Sequence, residues 1–177
     1  MSGSSASAPS EQEISLAATV LRRLEPGFLP VELFLEITRL CAMPIIELVP
    51  LRKHNGQTEV LLFRRAADDP NWPNALHTPG TVVRATDVSD GFSVPLSRLY
   101  SEELLTQPEN EPVFVDVKLH RSNRGTEFAA VLYVDLTGTV APTGEWRPSE
   151  QLPEDLVASQ RTFIDKAVEL FEKEQQS

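Results

Sequence analysis

Between residues 45 and 136 apolar and polar positions alternate in short runs, and outside that span apolar residues recur every three or four positions. Period two marks strands and the longer period marks helices. Residues 45–51 and 59–65 read as paired strands around Asn55-Gly56, a two-residue hairpin signal. Residues 113–120 alternate Val113, Val115, Val117 and Leu119 against Phe114, Asp116, Lys118 and His120, which predicts a half-buried strand with the valines and Leu119 inward. Residues 128–136 are apolar on both faces and are expected to be central in the sheet. A turn at Ser122-Asn123-Arg124-Gly125 joins the last two.

Three helices are expected around these strands. Residues 13–24 carry Ile14, Ala17, Ala18, Leu21 and Leu24 on one face, and residues 30–41 carry Leu33, Phe34, Ile37 and Cys41. Residues 153–173 close the chain with Leu156, Phe163, Ile164, Ala167 and Phe171 inward. The sum is an α/β/α sandwich with a mixed central sheet. Three segments follow: residues 1–12, Ser/Ala/Pro-rich and expected to be disordered; 13–42, an N-terminal helical extension that caps the sheet or serves as a homodimer arm; and 43–175, the sandwich. The chain shows no internal repeat.

Composition narrows the setting. A chain of 177 residues with 41% apolar and 24% charged residues is long enough for one well-buried core. Its lone cysteine, Cys41, rules out an internal disulfide and is expected to be a buried structural thiol. No apolar run has the length of a membrane span, and no basic and hydrophobic leader opens the chain, so no membrane is expected and the location is expected to be cytoplasmic. A net charge of −10 argues against a nucleic-acid polymer as partner. A nucleotide-type small molecule remains compatible, because a diphosphate is held by local charges.

Chemistry concentrates in residues 61–104, which read as a strand ending in Arg64-Arg65, a long loop, a Pro79-Gly80 turn, a short strand, and a helix with Arg98, Glu102 and Glu103. Adjacent glutamates on a helix project about 100° apart, so both can reach an ion over one side of it. Arg98 stands one turn before Glu102, where it can orient that carboxylate. Leu96, Leu99, Tyr100 and Leu104 form the inward stripe, and Glu103 borders it. A carboxylate at such a border is costly unless paired or metal-bound, so Glu103 is the strongest single candidate. The plainer alternative is a solvated helix face.

This order resembles the Nudix hydrolase family, whose signature is G-x5-E-x7-R-E-U-x-E-E-x-G-U with a Pro-Gly pair at its start, over residues 45–171. Pro79-Gly80 matches the turn, Thr81 falls at the opening Gly, Asp87 takes the first Glu, and Arg98, Glu102 and Glu103 recover the Arg and the Glu pair. An insertion of about three residues lies between Asp87 and Arg98, with a turn expected at Ser89-Asp90-Gly91. Leu99 replaces a usual magnesium ligand, and Leu105 and Thr106 replace the final Gly and aliphatic residue. The Arg98-Leu99 pair is similar to GDP-mannose mannosyl hydrolases, as are Gly125-Thr126-Glu127-Phe128 and Trp146, although the histidine base of that branch is missing from residues 140–145.

The resemblance implies a Nudix-like fold and a magnesium-dependent hydrolase of a nucleoside diphosphate linked to another group, with manganese as a substitute ion. It implies Glu102 and Glu103 as metal ligands, Asp87 as support, and a base from a further loop, for which Glu145 or Glu150 is nearest. Arg64, Arg65, Arg84, Gly80 and Trp72 are expected to line the substrate cleft, with Trp146 and Tyr100 as further aromatic surface. The alternative is a Nudix-fold binding domain without turnover, which Leu99, the insertion and the lost Gly favour. The three histidines are too scattered for a zinc site, and His77, three residues before Gly80, is expected to serve structure. No phosphate-loop, dinucleotide or nucleophile-elbow motif is present.

Overall fold

The structure, a computed structural model, describes residues 8–27, 29–88, 91–139 and 143–176. Two helices come first, α1 (Glu11–Leu21) and α2 (Val31–Leu40), then strands β1 (Met43–His54), β2 (Gln57–Arg64), β3 (Leu76–His77) and β4 (Gly80–Val82). Helix α3 (Ser93–Leu99) runs into a π-helical turn (Tyr100–Leu104). Strands β5 (Val113–Arg121), β6 (Thr126–Asp135) and β7 (Glu145–Pro148) precede the closing helix α4 (Arg161–Glu174).

The sheet runs β3-β2-β1-β6-β5, with β1 and β6 parallel and the other pairings antiparallel. Leu48, Val49 and their neighbours in β1 are fully buried, as a strand covered on both faces requires. One face of the sheet packs Ile45, Val49, Leu62, Ala129 and Val131 against Phe163, Ile164, Ala167 and Phe171 of α4. The other packs Ile46, Leu48, Leu61, Ala130 and Leu132 against Leu96, Leu99, Tyr100 and Leu104. The α/β/α sandwich expected from the pattern is therefore present, and the hairpin turns at Asn55-Gly56.

One detail of the sheet creates the cleft. Antiparallel partners share one edge of β1: β2 pairs it at Leu51–His54, and β4 takes over at Ile45–Glu47. Where β2 diverges and β4 enters, the chain from His77 to Gly80 crosses the gap. Backbone polar groups there are met by side chains instead of a neighbouring strand, which is how functional groups gather at such a split.

Four expectations are corrected. Helix α1 is closed at its start by a Ser10 and Glu13 capping box, but no residue of it is buried, and Ile14 is 56% exposed. Its local cap supports it where no core face does. Cys41 is exposed: it lies one residue past the end of α2, off the stripe that the sequence periodicity assigned to it. The closing helix starts at Arg161 and not near residue 153, because Asp155 to Val157 bond to Leu76 like a short strand and a 3-10 turn (Ala158–Gln160) follows.

The fourth correction concerns β5. The pairing with β6 skips a residue between Phe114 and Asp116, a β-bulge that reverses the phase of everything after it. Val117 and Leu119 therefore face outward, 44% and 65% exposed, while Lys118 and His120 turn toward Thr162 and Phe163 of α4. The segments 1–7, 89–90 and 140–142, and with them much of the turn expected around Ser89-Asp90-Gly91, lie outside the described residues. No helix among the described residues is long and apolar enough to cross a membrane.

Candidate functional site

The end of the α3 segment is wound as a π turn, with bonding from each residue to the fifth beyond it. Residues five apart on an α-helix point roughly 140° from each other. Here the wider turn brings them close to alignment, so Leu99 and Leu104 are both sealed in the core, 1% and 0% exposed. The polar residues obey the same offset. Arg98 donates to the Val82 carbonyl at 2.9 Å and to Thr81 Oγ1 at 3.2 Å, while Glu103 Oε2 accepts the Gly80 N–H at 3.1 Å. Both side chains thus reach β4, one residue of each pair beside the next.

Arg98 is also held by Asp87, at 2.6 Å and 3.0 Å through two nitrogens, and the Asp87 side chain is 2% exposed. The Arg98 guanidinium holds the Asp87 carboxyl below its usual range, against burial. Asp87 also accepts the Arg84 N–H at 2.8 Å, so the ion pair fastens β4, the following loop and α3 together. The expected Arg98–Glu102 pairing is not what forms: Arg98 goes to Asp87, and Glu102 is exposed.

Glu103 borders a cavity of about 220 Å³ lined by Phe63, Arg65, Ala66, Asp69, His77 and Glu103 itself. Burial pushes its carboxyl upward, opposed by the Gly80 N–H and by Arg65. Arg65 bonds Asp69 at 2.9 Å, and its buried Nε has no partner. Asp69 in turn accepts the N–H groups of Asn71 and Trp72, which shapes the loop over the cavity. His77 is driven down to about 4 by burial and then by Arg65, so it is neutral at physiological pH. Its Nδ1 lies 2.8 Å from the Thr78 carbonyl, in keeping with a structural role.

A second group of charges lies behind Gly80. Glu47 is 6% exposed, and burial pushes its carboxyl up to about 8, with Arg124 opposing and Glu127 reinforcing. Gln160 Nε2 donates to Glu47 Oε2 at 2.9 Å, and Thr78 Oγ1 does so at 3.3 Å. A Cβ at Gly80 would stand 2.9 Å from Glu47 Oε2, so any larger residue there would displace the end of that side chain. Glu127, 3% exposed, accepts from Arg124 at 2.8 Å and sits 3.3 Å from His120. The guanidiniums of Arg65 and Arg124 lie 5.1 Å and 5.0 Å from the Trp72 ring.

The structure thus gathers Glu103, Arg65, Gly80 and Trp72 at one cleft, with Asp87 one step behind. It does not gather the others. Arg64 is committed to Asp155 at 2.8 Å and to Glu145 at 3.4 Å, and Glu145 also bonds Arg147 on β7. Arg84 lines a separate cavity of about 420 Å³ between β4 and the start of α2. Sequence reasoning passed over Glu47, Asp69, Arg124 and Glu127. The signal for two of them was present: Glu47 and Glu127 are carboxylates beside the apolar runs of the two central strands, where a charge is costly without partners.

Among the described residues no three His, Cys, Asp or Glu side chains are placed to hold a metal ion. Glu103, half-buried with one N–H for a partner and open space beside it, still suits a cation that brings ligand oxygens of its own. Magnesium commonly binds through one or two carboxylates plus phosphate oxygens.

No family model matches the chain, and neither does any curated protein. Solved structures do match. A mutT/nudix family protein from Listeria innocua superposes with a TM-score of 0.60 at 17% identity, covering 76% of this chain and 96% of its own. The NUDIX domain of Shewanella oneidensis NrtR, in a cocrystal with ADP ribose, gives 0.58 at 17% identity over 87% and 97%. A C. elegans Ap4A hydrolase binary complex gives 0.57 at 14% identity over 75% and 99%. With the split β1 edge and the helix end meeting Gly80, these likenesses give the chain the fold of the MutT/Nudix proteins.

Proposed function

We propose that the chain is a Nudix-type hydrolase of a nucleoside diphosphate linked to another group, working with a reduced set of carboxylates. The observation that carries this reading is Glu103: helix end, Gly80 turn and Arg65 converge on one cavity. Arg65 lines the cavity, and Arg124 stands across Trp72, so two guanidiniums are near enough for phosphate oxygens. Each is already balanced by a carboxylate, Asp69 or Glu127, and Glu102 and Glu103 add further acid. A diphosphate entering so acidic a cleft needs a cation. Glu103 and Glu102 would hold magnesium, or manganese in its place, together with the ligand's own oxygens. When bound, that ion supplies polarisation of a phosphate oxygen and a more acidic water.

A second reading, a Nudix-fold binder without turnover, is favoured by one observation: Leu99, at the place of a metal-binding Glu in the family signature, is 1% exposed among core leucines. The Arg98-Leu99 pair also occurs in GDP-mannose mannosyl hydrolases, so hydrolysis is compatible with it. The deciding experiment incubates the protein with ADP-ribose, diadenosine tetraphosphate and nucleotide sugars, with magnesium or manganese, and follows both binding and cleavage. Metal-dependent cleavage lost in Glu103→Gln supports the hydrolase. Tight binding with no cleavage supports the binder, and neither binding nor cleavage refutes both.

A further inference from the structure

We infer that Thr38 is a positioning residue for the cleft: through it helix α2 clamps the Ser122–Gly125 turn and sets Arg124. Thr38 is the only buried residue of α2 among those described, 2% exposed, although the helix carries larger apolar side chains. Its Oγ1 lies 2.6 Å from the Arg124 carbonyl and 2.8 Å from that of Leu35 in its own helix. One hydroxyl proton faces two carbonyls, and the shorter contact leaves the helix for the turn.

The turn is shaped to receive this contact. A Cβ on Gly125 would stand 2.4 Å from the Thr38 carbonyl oxygen, and Gly125 has φ +142°. Only glycine allows both the approach and the conformation. Within the turn Ser122 and Gly125 exchange backbone hydrogen bonds, and Ser122 Oγ accepts the Arg124 N–H at 3.1 Å. Asn123 donates to the Asn71 carbonyl at 2.9 Å, which joins the turn to the loop carrying Asp69 and Trp72. From this turn the Arg124 side chain runs onto Glu127 and toward Trp72. Helix α2, outside the span whose sequence resembles the family, thereby supports the cleft through the Ser122–Gly125 turn.

The part of this inference that concerns ligand rests on the function proposed above; the part that concerns the turn does not. Titration calorimetry with ADP-ribose and magnesium should show Thr38→Val binding about tenfold more weakly, the scale of one buried hydrogen bond, while Thr38→Ser stays close to wild type. Adding Thr38→Val to Arg124→Ala should cost nothing more than Arg124→Ala alone, because Thr38 acts through Arg124. Gly125→Ala, whose Cβ pushes the turn off the Thr38 backbone while the Thr38 hydroxyl is kept, should match Thr38→Val. Amide exchange over residues 122–126 should quicken in Thr38→Val and not in Thr38→Ser. Additive losses in the double variant, or unchanged exchange at the turn, would overturn the inference. Failure of wild type to bind ADP-ribose would count against the functional reading alone, and the exchange comparison would still decide the role of Thr38.

Discussion

Replacing Leu99 by Glu restores the family's missing carboxylate on paper, and the structure gives the cost of doing so. Leu99 is packed with Ile46, Leu48, Leu96 and Leu104, and all but 1% of its surface is covered. Losing that apolar burial costs about 1.5–3 kcal/mol. The side chains packed around it are almost all apolar, so the new side chain stays protonated in the folded protein. The unfolded chain releases that proton near pH 4.3, which at pH 7 adds about 4 kcal/mol. The total is comparable with the whole stability of many domains. The sign follows from the raised folded pKa: stability of the variant falls by about 1.4 kcal/mol for each pH unit above 4.3. Urea denaturation of wild type, Leu99→Glu and Leu99→Gln at pH 5 and pH 7, with and without magnesium, reads this directly. Leu99→Gln should lose stability without the pH slope. A Leu99→Glu protein that denatures like wild type at pH 7 and gains stability from magnesium would refute the reasoning and show the position open to solvent and metal.

Glu103→Gln should abolish metal-dependent cleavage while leaving the melting temperature nearly unchanged, whereas Glu109→Gln, on the exposed loop after the π turn, should change neither. Glu47→Gln should stabilise the protein at pH 7 and lose that advantage near pH 4.5: burial holds Glu47 protonated up to about pH 8, so wild-type stability falls as pH rises between those values. Equilibrium denaturation across that pH range measures it. Asp87→Ala leaves the Arg98 guanidinium unpaired beside Val82 and should cost about 3–5 kcal/mol in the same assay. Removing residues 1–23 takes away α1, which buries nothing, and should leave both the melting temperature and ligand binding in place.

The hairpin at Asn55-Gly56 and the doubly covered β6 were legible because local turn chemistry and burial pattern agreed. A helix end following a glycine turn put Arg98 and Glu103 near Gly80, but the sequence did not show that Arg98 would pair with Asp87 and leave Glu102 exposed. The phase of β5 was not legible. A single bulged residue at Val115 leaves the alternation in the sequence intact while exchanging inside for outside. Glu47 and Glu127 escaped notice because period-two reading treats a strand residue as a face and not as a group needing a partner. Cys41 was misread because helix stripes extrapolate smoothly past the point where the helix stops.

The π turn carries a lesson for aligning this chain with others. It lodges one extra residue in the last turn of the helix, so counting along the sequence is out of step with a regular helix after Leu99. Glu103 occupies, relative to Arg98, the side that a regular helix would give to Glu102. An alignment that assumes a regular helix would therefore misplace Glu102 and Glu103 relative to Arg98. Deleting Ser101 would test which description the molecule obeys: a helix without the surplus residue would keep Leu104 on the core and bring Glu103 back into ordinary register with Arg98.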